Sequence, residues 1–110
     1  MANSYVNAIT SLSATTATSI YTVPTAKVAI VKTVSVYNTN ASNAAALTVQ
    51  VTDTSASATT TFDKATVAAV TRKAFLQNGE VMVLDESDIL KMTAATADYF
   101  DVFVSILEVS

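Results

Sequence analysis

The chain has no cysteine, no histidine and no tryptophan, and only one glycine and one proline among its 110 residues. Without cysteine there are no disulfides, thiol nucleophiles or thiolate metal sites. Without histidine, the usual general base and a common metal ligand are missing as well. One glycine cannot build a glycine-rich phosphate cradle. A serine or threonine nucleophile would need a lysine as its activating base, and no Ser-x-x-Lys motif occurs. These absences predict a protein that is not an enzyme and needs no cofactor.

Charge is also scarce. Charged residues make up 14 % of the chain, against about 25 % in an ordinary soluble domain, which suggests that much of the surface is not left to solvent. The net charge is −3, and the basic residues Lys27, Lys32, Lys64, Arg72, Lys73 and Lys91 are scattered. A nucleic-acid partner needs a basic patch, so none is expected. No window approaches the roughly 18 apolar residues that span a bilayer, so no membrane partner is expected either. Met1 to Ser13 lacks the basic and apolar regions of a secretion signal, so the mature protein is expected to start in a cytoplasm. Asn40-Ala41-Ser42 fits a glycosylation sequon and reads as a polar loop.

What remains is rich in alanine, valine, threonine and serine. A chain of this length forms one domain and buries roughly 60 to 70 % of its unfolded surface, enough for a core without staples. Residues 1–18 are small and polar and read as an extended N-terminal arm; 19–110 read as a single β-sandwich domain. The arm's larger apolar residues, Tyr5, Val6, Ile9 and Leu12, are candidates for contact with other subunits.

From Ser19 onward, β-branched residues crowd into short runs separated by turn-forming stretches, the spacing of a sandwich or barrel. Ser19 to Val23 stops at Pro24, which cannot donate to a ladder. In Lys27 to Asn38 the inward row changes phase, so a bulge is expected near Lys32 and Thr33. Leu47, Val49 and Val51 alternate with Thr48, Gln50 and Thr52, a half-buried strand. Thr59 to Phe62 and Thr66 to Val70 are weaker strands. Asn78-Gly79 between Arg72 to Gln77 and Glu80 to Asp85 predicts a β-hairpin with a type I′ turn. Its register sets Leu76 opposite Val81, Phe75 opposite Met82 and Arg72 opposite Asp85. After Ile89 to Thr93 comes the last strand, Tyr99 to Val109. Phe100, Val102, Val104 and Ile106 form its core row, while Phe103 and Leu107 put large apolar groups on the other face. That face is a further candidate contact surface.

Eight or nine strands and no convincing helix make an all-β antiparallel sandwich of jelly-roll type, with an immunoglobulin-like arrangement as the rival topology. The acidic turn Asp85, Glu86 and Asp88 offers oxygen ligands for calcium but lacks EF-hand spacing and reads as a turn. Asp98 with Asp101, or Asp53 with Asp63, is a carboxylate pair of a kind found in nearly every domain. No metal site is therefore assigned. Tyr5, Tyr21, Tyr37 and Tyr99 are the aromatic residues that a carbohydrate-binding module would use, yet they are not spaced as a row.

Ile20-Tyr21-Thr22-Val23-Pro24, Ala29-Ile30-Val31-Lys32-Thr33-Val34 and the loop Tyr37-Asn38-Thr39-Asn40 resemble small virion proteins of tailed bacteriophages. Gly79-Glu80-Val81-Met82-Val83-Leu84 with Asp88-Ile89-Leu90-Lys91-Met92 resembles the same group, and together the stretches cover most of residues 19 to 108. Glu86 and Ser87 stand where that group often has a glycine. The resemblance implies a β-sandwich that decorates or cements a capsid, or belongs to a tail, collar or fibre. It also implies the major capsid protein or other virion proteins as partners, a homo-oligomeric state, and a place on the outer capsid surface after synthesis in the host cytoplasm.

Overall fold

A computed structural model describes residues 3–76 and 79–110. Among these, nine strands form two antiparallel sheets: β1 (Asn3–Leu12), β2 (Thr18–Thr22), β3 (Val28–Asn38), β4 (Ala45–Asp53), β5 (Ala58–Val67), β6 (Arg72–Ala74), β7 (Met82–Leu84), β8 (Ile89–Ala94) and β9 (Phe100–Val109). Sheet A runs β1-β9-β3-β6, with β7 also on β3, and sheet B runs β2-β8-β4-β5. β6 and β7 lie end to end along the same edge of β3, opposite Tyr37 to Ser35 and Val31 to Ala29. Counted as one interrupted strand, they leave eight strands in two four-stranded sheets, wound as a jelly roll. The expected sandwich is therefore the fold.

Period-two alternation explains which residues the sheets bury. In β9, Phe100, Val102, Val104 and Ile106 are all buried. They meet Leu47 and Val49 of β4 and Leu90 and Met92 of β8 in one apolar cluster. The phase change in β3 is a bulge: the register on β9 shifts between Val31 and Thr33, leaving Lys32 as the extra, exposed residue. Val31 before it and Val34 after it both stay buried. Without the bulge, the second half of β3 would turn its polar face inward.

The structure corrects the hairpin. Arg72 lies opposite Tyr37 and Met82 opposite Val31, so neither pairs within a hairpin. The described residues between β6 and β7 carry no strand, and Asn78 lies outside the described residues. The physical reason is that β3 offers both segments a longer partner than they offer each other. Phe75, the first residue past β6, sits beside the bulge of β3. There the Phe75 N–H still donates to the Val34 carbonyl at 2.8 Å, and the Phe75 ring is buried in the core.

Residues 59–62 and 66–70 join differently from expectation. β5 is one strand over Ala58–Val67, and its register on β4 shifts so that Phe62 is an exposed extra residue. The polar N-terminal stretch is extended, and over Asn3–Leu12 it is the edge strand of sheet A, paired with β9 along its whole length. Its inward residues are Val6, Ala8, Thr10 and Leu12, a row too weakly apolar to stand out in the sequence.

Candidate protein-docking face

The outer faces of the two sheets differ in chemistry. On sheet B, Thr48 lies between Lys64 and Thr93, Gln50 between Thr61 and Lys91, and Thr52 between Thr59 and Ile89. This is a solvated surface, with the Thr52 and Thr59 hydroxyls hydrogen-bonded at 2.8 Å.

On the outer face of sheet A, cross-strand neighbours fall into rows perpendicular to the strands. Tyr5, Leu107, Ile30 and Val83 form one row across all four strands. Ile9, Phe103, Ser35 and Ala74 form another. Between them run Asn7, Ser105 and Thr33, where the Ser105 hydroxyl donates to Asn7 Oδ1 at 3.1 Å. Tyr5 is 81 % exposed, Ile9 70 %, Val83 64 % and Phe103 41 %. Four strands about 4.8 Å apart, and two rows four residues or about 14 Å apart, span roughly 15 by 15 Å between side-chain centres. That is smaller than the roughly 800 Å² per partner of a standard interface, but a contact of this size gains strength when many symmetric copies share it.

Four of the sequence-derived candidates, Tyr5, Ile9, Phe103 and Leu107, share this outer face. Val6 lies opposite Ile106 on the inner side and is half-buried. Leu12 is a correction: at 1 % exposure, opposite Phe100, it belongs to the core and can touch no other subunit. Val83, Ile30 and Tyr37 were missed. Each sits in a strand whose facing depended on the β3 bulge and on β7 pairing with β3.

The acidic turn lines an open cleft of about 260 Å³ with Thr54, Ser55 and Ser87. Its carboxylates are occupied by backbone donors. Asp88, nearly buried, accepts the Thr54 N–H at 3.2 Å and the Asp85 N–H at 3.0 Å. Glu86 accepts the Ala26 N–H at 2.6 Å, and Asp85 accepts the Glu86 N–H at 2.8 Å. The cleft thus fastens the β4–β5 and β7–β8 turns together. Ser87 adopts φ 68°, a left-handed conformation that suits glycine. Among the described residues no three histidine, cysteine, aspartate or glutamate side chains gather to hold a metal ion. Carboxylates of the candidate pairs are engaged locally: Asp101 accepts from the Ser11 hydroxyl at 2.7 Å, and Asp53 from the Ser55 hydroxyl and the Ala56 N–H in the β4–β5 turn. These two bonds hold the exposed Asp53 carboxyl below its ordinary pKa.

At the same end of the sandwich, Glu108, buried on β9 beside Ala29 and one strand over from Leu84, bridges the sheets. It accepts the Tyr21 hydroxyl from β2 at 2.5 Å and the Lys27 ammonium at 3.3 Å. Burial, then the hydrogen bond and charge of Glu108, push the Tyr21 phenol well above its ordinary pKa of 10.0. Tyr21 is thereby used in the fold. Tyr5 and Tyr37 lie on the outer face of sheet A but opposite Leu107 and Asp101, at distant points of β9. The Tyr99 hydroxyl accepts from the Asn43 side chain. The sequon asparagine is structural as well, since Asn40 Oδ1 accepts the Ser42 and Asn43 N–H groups at 2.9 and 2.7 Å.

No protein-family model matches the chain, and no curated protein sequence matches it. Among solved structures, the chain is similar to one described as a Bacillus endospore appendage from a family of disulfide-linked pili. The TM-score is 0.59 at 13 % identity, covering 99 % of this chain and 87 % of that one. At this identity the likeness speaks to the fold, which is β-rich in both.

Proposed function

We propose that this chain is a non-enzymatic structural subunit that docks on other proteins through the outer face of sheet A. Its place, on this reading, is a bacteriophage capsid, where many copies bind the outer shell as a decoration protein. The observation that carries the docking face is the contrast between the two sheets. The rows of sheet B are threonine, glutamine and lysine, with Ile89 at one end and the bulged Phe62 as the one exposed large apolar side chain among its described residues, while sheet A gathers Tyr5, Ile9, Phe103 and Val83. Large apolar side chains gathered on one face mark a surface that another protein covers. The capsid is supported by the resemblance of residues 19 to 108 to small virion proteins. In that position each copy would contribute a modest contact across shell subunit junctions, multiplied by the symmetry of the shell.

The test is to add purified protein to capsid shells that lack it. Wild-type protein should bind and raise the temperature at which the shells rupture, and Phe103→Asp should do neither. Shells that rupture at the same temperature with and without the protein, and do not retain it, remove the decoration reading.

A second reading, a tail, collar or fibre component, is favoured by the likeness to a pilus subunit. Since this chain has no cysteine, any such assembly would be held by non-covalent contacts. Copy number separates the two: hundreds per particle fit a shell, and a few to a few dozen fit a tail.

A further inference from the structure

An exposed sheet edge offers unpaired backbone groups to any other strand, and proteins guard such edges with charges, bulges, interruptions or short length. Three of the edges in this sandwich are guarded. β2 has five residues and a register break between Ser19 and Tyr21. β5 carries Asp63 and Lys64 beside the bulged Phe62. The outer edge of β3 is covered by two three-residue pieces, β6 and β7. β1 has none of these protections. Over ten residues, Asn3–Leu12, it has no charged residue, proline or glycine, and its register on β9 is unbroken. Among the described residues it has β9 on one side and no strand on the other.

We infer that the β1 edge pairs antiparallel with β1 of a second copy of this chain, about a two-fold axis at Asn7. This occupant follows from the order of side chains along the strand. With the axis at Asn7, Tyr5 faces the partner subunit's Ile9 and Ile9 faces the partner subunit's Tyr5. These are two aromatic and β-branched pairs of the kind that stabilises sheets. Both residues are now largely exposed. On the inner side, half-buried Val6 meets the partner subunit's Ala8. Moving the axis to Val6 or Ala8 would set Tyr5 opposite an asparagine or a serine and lose both pairs. No acidic or basic side chain lies on β1, so two acidic chains meet there without like charges opposed. The pairing continues sheet A across the axis and leads the Tyr5 row of one copy into the Ile9 and Phe103 row of the other. Two docking faces become one.

Sedimentation equilibrium of the full chain tests this. Wild-type protein should form dimers, and Asn7→Lys, which places like charges opposite each other at the axis, should weaken the dimer roughly fivefold or more. Asn7→Asp should do the same, and an equimolar mixture of the two variants should recover dimers, which also shows that both fold. Thr61→Lys, on the guarded β5 edge, should leave the dimer unchanged. Because the chain has no cysteine, oxidation of Asn7→Cys should give a covalent dimer, and oxidation of Thr61→Cys should not. A wild-type chain that stays monomeric up to millimolar concentration overturns the inference. So does a dimer indifferent to the Asn7 variants, a mixture that does not recover, or an Asn7→Cys chain that does not cross-link.

Discussion

Leu12 and Ile9 lie three residues apart on one edge strand, yet the structure assigns them opposite energetics. Leu12 is 1 % exposed against Phe100, whereas Ile9 is 70 % exposed. Leu12→Ala removes buried methyl groups and leaves a cavity in a cluster that includes Phe100 and Val23; such changes cost about 2 to 5 kcal/mol. Because β1 is an edge strand that can shift inward to fill part of the space, a value near the lower end, about 2.5 kcal/mol, is expected. Ile9→Ala removes atoms that water already reaches, so less than about 0.5 kcal/mol is expected. At about 4 °C per kcal/mol for a domain of this size, the melting temperature should fall by roughly 10 °C for Leu12→Ala and by no more than about 2 °C for Ile9→Ala. Urea unfolding followed by circular dichroism gives the free energies directly. It should be run at two protein concentrations tenfold apart, because self-association stabilises by mass action. Equal losses for the two variants, or a larger loss for Ile9→Ala at the lower concentration, would refute the placement of β1 and with it the face built on Tyr5 and Ile9.

Three further outcomes follow from the rest of the fold. Since the neutral Tyr21 phenol is favoured in the native state, its stabilisation is complete below pH 10 and declines as pH rises above the unfolded value. Tyr21→Phe should flatten that alkaline decline in a series of melting temperatures from pH 8 to 11, and an unchanged slope would exclude the Tyr21 phenol, raised by burial and by Glu108, as its cause. Asp88→Ala strands the Thr54 and Asp85 N–H groups and should cost about 2 to 4 kcal/mol in urea unfolding, with Asp88→Asn about half as severe. A neutral Asp88→Ala would mean that the two turns are not fastened by this carboxylate. Gly79 has φ 82° and open space around the position a Cβ would take, so Gly79→Ala should cost about 1 kcal/mol through backbone strain alone; a stabilising effect would contradict the left-handed turn.

The parts of this fold visible in the sequence are those where a strand's own side chains decide its facing. The alternation in β9 marked Phe100, Val102, Val104 and Ile106 as core, and the phase change around Lys32 located the β3 bulge; all four residues are buried and the register shifts there. Long-range pairing was not visible. Asn78-Gly79 is a strong local turn signal, and Gly79 does take a positive φ, but β6 and β7 each pair with β3. The partner that decided their geometry lies more than thirty residues away along the chain. β1 was hidden for another reason. An edge strand supported on one side only can use Val6, Ala8 and Thr10 inwardly, so its hydrophobic period is faint. Of the docking face, Phe103 and Leu107 were legible because they interrupt a polar row, whereas Val83 and Ile30 became visible only once the sheets were assembled.

The docking face itself is tested most directly by a cryo-electron map of the assembly in which this chain is located. The account predicts that the outer face of sheet A, with Tyr5, Phe103 and Val83, lies against neighbouring subunits while the threonine face of sheet B points to solvent. A map showing sheet A bare and sheet B in contact would contradict it.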